Sequence, residues 1–197
     1  MVPRLALLAL LLAVMPAPAR AEILIEATAD GRDLRIVVDR ARDRVLVEGG
    51  GERALVDLQN GTVRRTGAAG DDVVHARFRP GNDVPPPYRI ELFGPGPIYA
   101  GHGSVYHVLF DQERVCAELL LSGWMSSFLD PAVRALAVLE RLDGRRSDDP
   151  CAQVPITTLA AAGWPLLAGS IDRPLFATRS LRFDYRPAPG EFPPQAP

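Results

Sequence analysis

Groups that ionise, ligate metals or attack carbonyls are scarce in this chain, which has three histidines and two cysteines among 197 residues. A zinc site needs nitrogen, sulfur or carboxylate ligands converging at tetrahedral spacing. His102 and His107 stand five residues apart across a glycine bend, His75 lies in a separate segment, and no H-x-H or H-x-x-x-H occurs. The spacing therefore assigns no metal. Ser104, Ser122, Ser126 and Ser127 lack the G-x-S-x-G turn that presents a nucleophilic serine. The Gly49-Gly50-Gly51-Glu52 run is followed by neither GK[ST] nor a helical pattern, so it reads as a chain reversal rather than a phosphate cradle. Asn60-Gly61-Thr62 matches a glycosylation sequon but falls in a hairpin turn, where the match is fortuitous. Arg35, Arg40, Arg42 and Arg44 alternate with Asp33, Asp39 and Asp43, the pattern of a solvated, charge-balanced face. No catalytic residue, metal or cofactor follows from these spacings.

The cysteines carry more information, because the start of the chain bears on their redox environment. Arg4 precedes the apolar run Leu5 to Met15, which Pro16 and Pro18 break before Ala19-Arg20-Ala21. This is the pattern of a secretory signal peptide with an A-x-A cleavage site. Its apolar run of 11 residues is too short for a membrane span, which takes about 20. Residues 1–21 are thus expected to be a leader, placing the remainder in the periplasm. There Cys116 and Cys151 are expected to form a disulfide. It would close a loop of about 36 residues, worth on the order of 3–4 kcal/mol in the chain-entropy model. Loss of Arg4 and Arg20 with the leader takes the formal charge from -2 to -4. That mild acidity argues against nucleic-acid binding. All 22 basic residues are arginine, which we read as genome composition.

The elements that must position these residues are mostly strands. Period-2 alternation of Ile23, Ile25 and Ala27, then Leu34, Ile36 and Val38, brackets Asp30-Gly31, a strong hairpin signal. Further strands follow at 45–47, 54–58, 62–65, 73–79 and 88–93, with a Gly- and Pro-rich break at 80–87. Ile98, Ala100, Val105, His107 and Leu109 read as two strand pieces joined at Gly101-His102-Gly103, with 115–121 as their partner. A helical segment begins after Ser122-Gly123-Trp124-Met125; in its best-defined part Asp130 is the expected N-cap, with Pro131 at the first helical position, and Gly144 the expected stop. Ala132, Ala135, Leu136, Leu139 and Leu142 lie along one side of this helix. A short helix at 158–162, a strand at 164–168 and a strand through Leu181, Phe183 and Tyr185 complete the pattern. The Pro-rich tail, 188–197, is expected to be extended or disordered. Residues 22–187 therefore read as a single α+β domain, an antiparallel sheet with one amphipathic helix.

The order of these pieces is familiar. A β-meander, YAGHGSVYHV, a Met-x-x-Phe segment on an amphipathic helix, GWPLLAG, LRFDY and EFPP follow one another over residues 22–193. This resembles a family of exported bacterial proteins that are similar in turn to the periplasmic lipoprotein carriers of the Lol pathway. The sharp matches are Ala100-Gly101-His102, Tyr106, Gly163 to Leu166 and Phe192-Pro193. The resemblance implies a LolA-like fold: a curved antiparallel sheet, or half-open barrel, with the helix packed over its concave face. In the carriers that cavity holds acyl chains. No carrier residue aligns position by position, so none is carried over.

Trp124, Met125, Phe128, Leu129 and Leu136 are the candidate lining of such a groove, since methionine and aromatic side chains suit apolar ligands. The plainer reading of the same run is core packing. The leading expectation is a non-enzymatic periplasmic protein that binds a lipid, an acyl chain or another apolar ligand. The alternatives are an exported hydrolase and an envelope protein that binds another protein. Intact mass of protein recovered from an exporting host checks the leader: the expected chain begins at Glu22, and a retained Met1 overturns the assignment.

Overall fold

The computed structural model describes residues 22–67, 73–77, 88–144, 149–152, 154–169 and 173–192. The expected leader, the break at 80–87 and the last five residues of the tail lie outside them. Eleven strands form one sheet: β1 (Glu22–Ala29), β2 (Arg32–Asp39), β3 (Arg44–Gly49), β4 (Glu52–Asp57), β5 (Thr62–Thr66), β6 (Val73–Arg77), β7 (Tyr88–Pro95), β8 (Val105–Asp111), β9 (Arg114–Ser122), β10 (Trp164–Gly169) and β11 (Pro174–Tyr185). Helix α1 (Ser126–Asp143) joins β9 to β10, with the short α2 (Ile156–Leu159) behind it.

The strand order is β6-β5-β4-β3-β2-β1-β11-β10-β9-β8-β7, with β6 and β7 as its two edges. It is built from two meanders. The first runs outward from β1 through tight turns such as Asp30-Gly31 and Gly50-Gly51, whose residues all have positive φ. That is the turn geometry that matches strand twist. The second runs from β7 inward to β11. The meanders are joined where β1 pairs antiparallel with β11, from Glu22↔Tyr185 to Ala29↔Phe176, with two register shifts.

Alternation sorts the side chains. Ile23 and Ile25, Ile36 and Val38, and Val45 and Val47 face one side; Leu119, Leu121, Leu166 and Phe176 continue that face across the second meander. All belong to one buried cluster that includes Met125, Leu129, Ala132 and Leu136 of the helical segment. Each large apolar side chain buried there contributes about 1.5–3 kcal/mol. On the opposite face Leu24, Val37 and Leu46 form a small separate buried cluster.

Pro165 sits within β10, in the interior of the sheet, where a missing N–H is normally excluded. A register shift against β9 falls at this point, between Pro165 and Leu167. The Thr178 hydroxyl serves in place of a ladder partner: it donates to the Pro165 carbonyl and accepts from the Trp164 indole N–H, each at 2.9 Å. Gly163, just before, lies so close to Ser122 that a Cβ would come within 2.9 Å of that residue's backbone.

Three expectations are corrected. The helix does not begin at an Asp130 cap. A 3-10 turn over Gly123–Met125 leads directly into α1, so Pro131 is its sixth residue and Asp130 instead pairs with Arg134 one turn on, at 2.8 Å. Near the helix start Pro131 removes a single backbone bond, and Met125 and Leu129 ahead of it are fully buried. Residues 98–103 are not a strand piece: Tyr99 and His102 exchange backbone hydrogen bonds at 2.9 Å around Ala100-Gly101, a two-residue turn. The tail also departs from expectation, because its described part, through Phe192, folds back onto the sheet. Gly144 does end α1, in the left-handed conformation.

Cys116 of β9 and Cys151, beyond α1, are bonded, with Cα atoms 4.8 Å apart and a sequence separation of 35. The bridge brackets α1 and ties its exit to the strand before it. Replacing both cysteines by serine is expected to lower unfolding free energy by about 3 kcal/mol, read as a lower urea midpoint; an unchanged midpoint would show that the bridge constrains nothing.

Candidate functional site

The five groove candidates do not share one surface. Met125 and Leu129 are fully buried and Leu136 nearly so, facing the sheet four and seven residues apart as one helical stripe. Trp124 and Phe128, one turn apart on the adjoining stripe, are 55% and 36% exposed. The first three are core. The last two form the rim of one end of the molecule.

At that rim Trp124, Phe128 and Phe183 of β11 make a closed ring of contacts, with centroids 5.6 to 6.1 Å apart. His102, from the Tyr99–His102 turn, lies 6.1 Å from the Trp124 ring, and the Arg40 guanidinium sits 5.0 Å over Phe128. Such aromatic pairs and cation–π contacts add about 0.5–1.5 kcal/mol each beyond the area they bury. His107 is buried with its Nδ1 3.1 Å from the Val105 carbonyl oxygen, and His75 lies on the β6 edge, across the sheet from β8. The three histidines belong to three different elements. Among the described residues no group of three His, Cys, Asp or Glu side chains is gathered as a metal site would need.

The other end of α1 is built differently. Two cavities of about 190 and 200 Å³ flank it, sharing Ala29, Asp30, Glu140 and Asp143 as walls. One runs under α2 against Val154, Leu159 and Phe176; the other runs against Leu34, Val47, Leu136 and Arg65. The Glu140 carboxylate accepts the Ile156 N–H at 3.1 and 3.2 Å, capping α2, and Arg65 donates to Asp143 at 2.6 Å. Desolvation, opposed by the Ile156 bond and helped by Asp30 and Asp143, pushes the Glu140 pKa up to about 7.

No protein-family model matches this chain, and no curated protein matches it in sequence. The functional reading therefore stands on this geometry.

Glu140 escaped the sequence reading because Leu-Glu-Arg-Leu-Asp looks like the solvated end of any amphipathic helix. Glu22 escaped it as the first residue of a strand. Burial, with Asp39 and then Glu191 adding to it against Arg42 and Arg44, pushes Glu22 up to about 7 as well. Its Oε2 has no hydrogen-bond partner among the described residues. Both carboxyls hold a proton more tightly in the folded chain than at their ordinary 4.5. The stability they add is thus full below that value and is lost as pH rises through about 7. The urea midpoint is expected to fall between pH 5 and pH 8, and Glu22→Gln and Glu140→Gln each to flatten the fall. For the buried Glu22 the effect is up to about 3 kcal/mol; a midpoint that rises with pH overturns the assignment.

Proposed function

We propose that this is an exported, LolA-like carrier or binder of an apolar ligand, in which the sheet is a half-open barrel and α1 the plug of its groove. The supporting observation is the continuous apolar face that runs across both meanders and is filled by one helix. Strands about 4.8 Å apart would spread eleven of them over roughly 48 Å if flat. An 18-residue helix is only about 27 Å long and 10 Å wide. Yet α1 meets β2 and β3, Arg65 of β5 reaches its last turn, and α2 beside it packs on β10. A sheet curled around α1 accounts for all of these contacts at once.

The two cavities are smaller than the roughly 300–1,000 Å³ of ordinary ligand pockets. In this reading an acyl chain enters by displacing α1, whose buried side carries three alanines, Ala132, Ala135 and Ala137, beside Leu129, Leu136, Val138 and Leu139. Gly123 and Gly144 stand at the two ends of the helical segment, where a hinge would form. The disulfide is what an oxidising compartment permits and so supports export.

Two measurements test this. Native mass spectrometry of protein purified without detergent is expected to show co-purified lipid; clean apo protein across several preparations counts against carriage. Leu129→Ala, which costs the closed state about 2–5 kcal/mol, is expected to tighten binding of a fluorescent fatty-acid probe at least tenfold. Leu46→Ala, on the opposite face of the sheet, is expected to leave it unchanged. Equal effects from both would sink the plug.

A further inference from the structure

The small cluster on the sheet's other face has an unusual cover. Leu24, Val37 and Leu46 are at most 1% exposed because Tyr185 and Phe192 lie against them. After β11 the chain turns back through Pro187, Pro189 and Gly190, the last at φ 83°. The Glu191 N–H closes the turn on the Ala188 carbonyl at 3.0 Å, while the Ala188 N–H donates to Glu191 Oε2 at 2.8 Å. Glu191 and Phe192 then dock.

Arginines from three successive strands receive them. Arg35 of β2 forms a salt bridge with the Glu191 carboxylate, whose side chain is only 7% exposed. Arg35 is itself aimed by Glu48 and by the Tyr185 hydroxyl, each at 2.6 Å, and that hydroxyl donates to Glu191 Oε2 at 2.8 Å. Arg53 of β4 donates to the Glu191 backbone carbonyl. Arg44 of β3, held by Asp39 at 3.2 Å, lies 5.2 Å over the Phe192 ring. Burial works against the Glu191 charge, yet the bonds from Arg35, Tyr185 and Ala188 hold its pKa below the ordinary value. The groove selects an acid followed by an aromatic ring.

The tail's hold is also of a releasable kind. Beyond Tyr185 its described residues make no strand pairing, and its prolines offer no N–H for one. Among them the Glu191 and Phe192 side chains and the Glu191 carbonyl carry the attachment. A short tether presents a segment at an effective concentration near millimolar, so a free peptide displaces it only at comparable concentration.

We propose that the outer face of β1–β4 is a peptide-binding groove for a Glu-aromatic segment of a partner protein, kept occupied by the chain's own Glu191-Phe192 until the partner displaces them. The charge complementarity of Arg35 and Arg53 and the apolar floor under Phe192 define that partner. This surface is separate from the proposed plug, on the opposite face of the sheet.

The test uses the full chain with a disarmed tail, Glu191→Ala with Phe192→Ala, and a labelled synthetic peptide of residues 186–197 followed by fluorescence anisotropy. The disarmed chain is expected to bind the peptide at least tenfold more tightly than the unmodified chain does. Adding Arg35→Gln to the disarmed chain, or Glu→Gln and Phe→Ala to the peptide, is expected to abolish binding. If the disarmed chain unfolds, the unmodified chain still decides: millimolar peptide is expected to remove hydrogen-exchange protection from the Glu191 amide. Equal binding to folded disarmed and unmodified chains, retained protection, or binding indifferent to Arg35 overturns the proposal. So does a peptide-independent dimer formed by exchanging tails between copies.

Discussion

One face of a wide sheet has to be kept dry, and this chain has little helix with which to do it. Two meanders contribute apolar residues to a common face, and α1 supplies nearly all of the helical cover. Everything around α1 follows from that shortage. Its sheet side mixes large residues with alanine so that it can lie close, α2 extends the cover toward β10, and the disulfide fixes where the chain leaves the helix. A cover of this kind contributes to stability as a core does. It also concentrates that contribution in one segment, the arrangement that lets a single rearrangement open an apolar surface.

The two ends of α1 differ in chemistry. At its start, aromatic rings and Arg40 make a half-exposed rim; at its end, carboxyls and Arg65 surround small cavities. An apolar ligand approaching the first meets surface that tolerates both water and hydrocarbon, as aromatic rims do. The second end is polar and hydrogen-bonded, with Glu140 joining α1 to α2. The helix is thus held by apolar and aromatic packing at its start and by hydrogen bonds at its end.

Local signals made the strands legible. Alternation and Asp-Gly or Gly-Gly turns placed the first five strands within a residue or two, because hairpins are decided by neighbours in sequence. The disulfide was legible because only two cysteines exist to pair. The helix start was misread because Asp130-Pro131 is a strong cap signal that tertiary packing overrode: Met125 and Leu129 are buried, and burying them requires the helix to begin earlier. The division of Trp124 and Phe128 from Met125, Leu129 and Leu136 was hidden for the same reason, since the phase of the stripe depends on where the helix starts. Docking of Glu191 and Phe192 was hidden because, apart from Tyr185 and Ala188, its partners, from Leu24 to Arg53, lie far away in the chain. The closure of β1 on β11 was equally invisible to any window of neighbouring residues.

That closure sets an order of events. The strand synthesised first among the described elements waits for the one synthesised last, so both meanders keep an unsatisfied inner edge until nearly the whole chain exists. Loop closure across about 150 residues is slow compared with forming a hairpin. During that interval β1 presents a run of isoleucine and leucine with open backbone groups, the kind of edge that pairs with strangers. Until β11 pairs with β1, the two meanders are two half-sheets with open inner edges rather than one smaller protein.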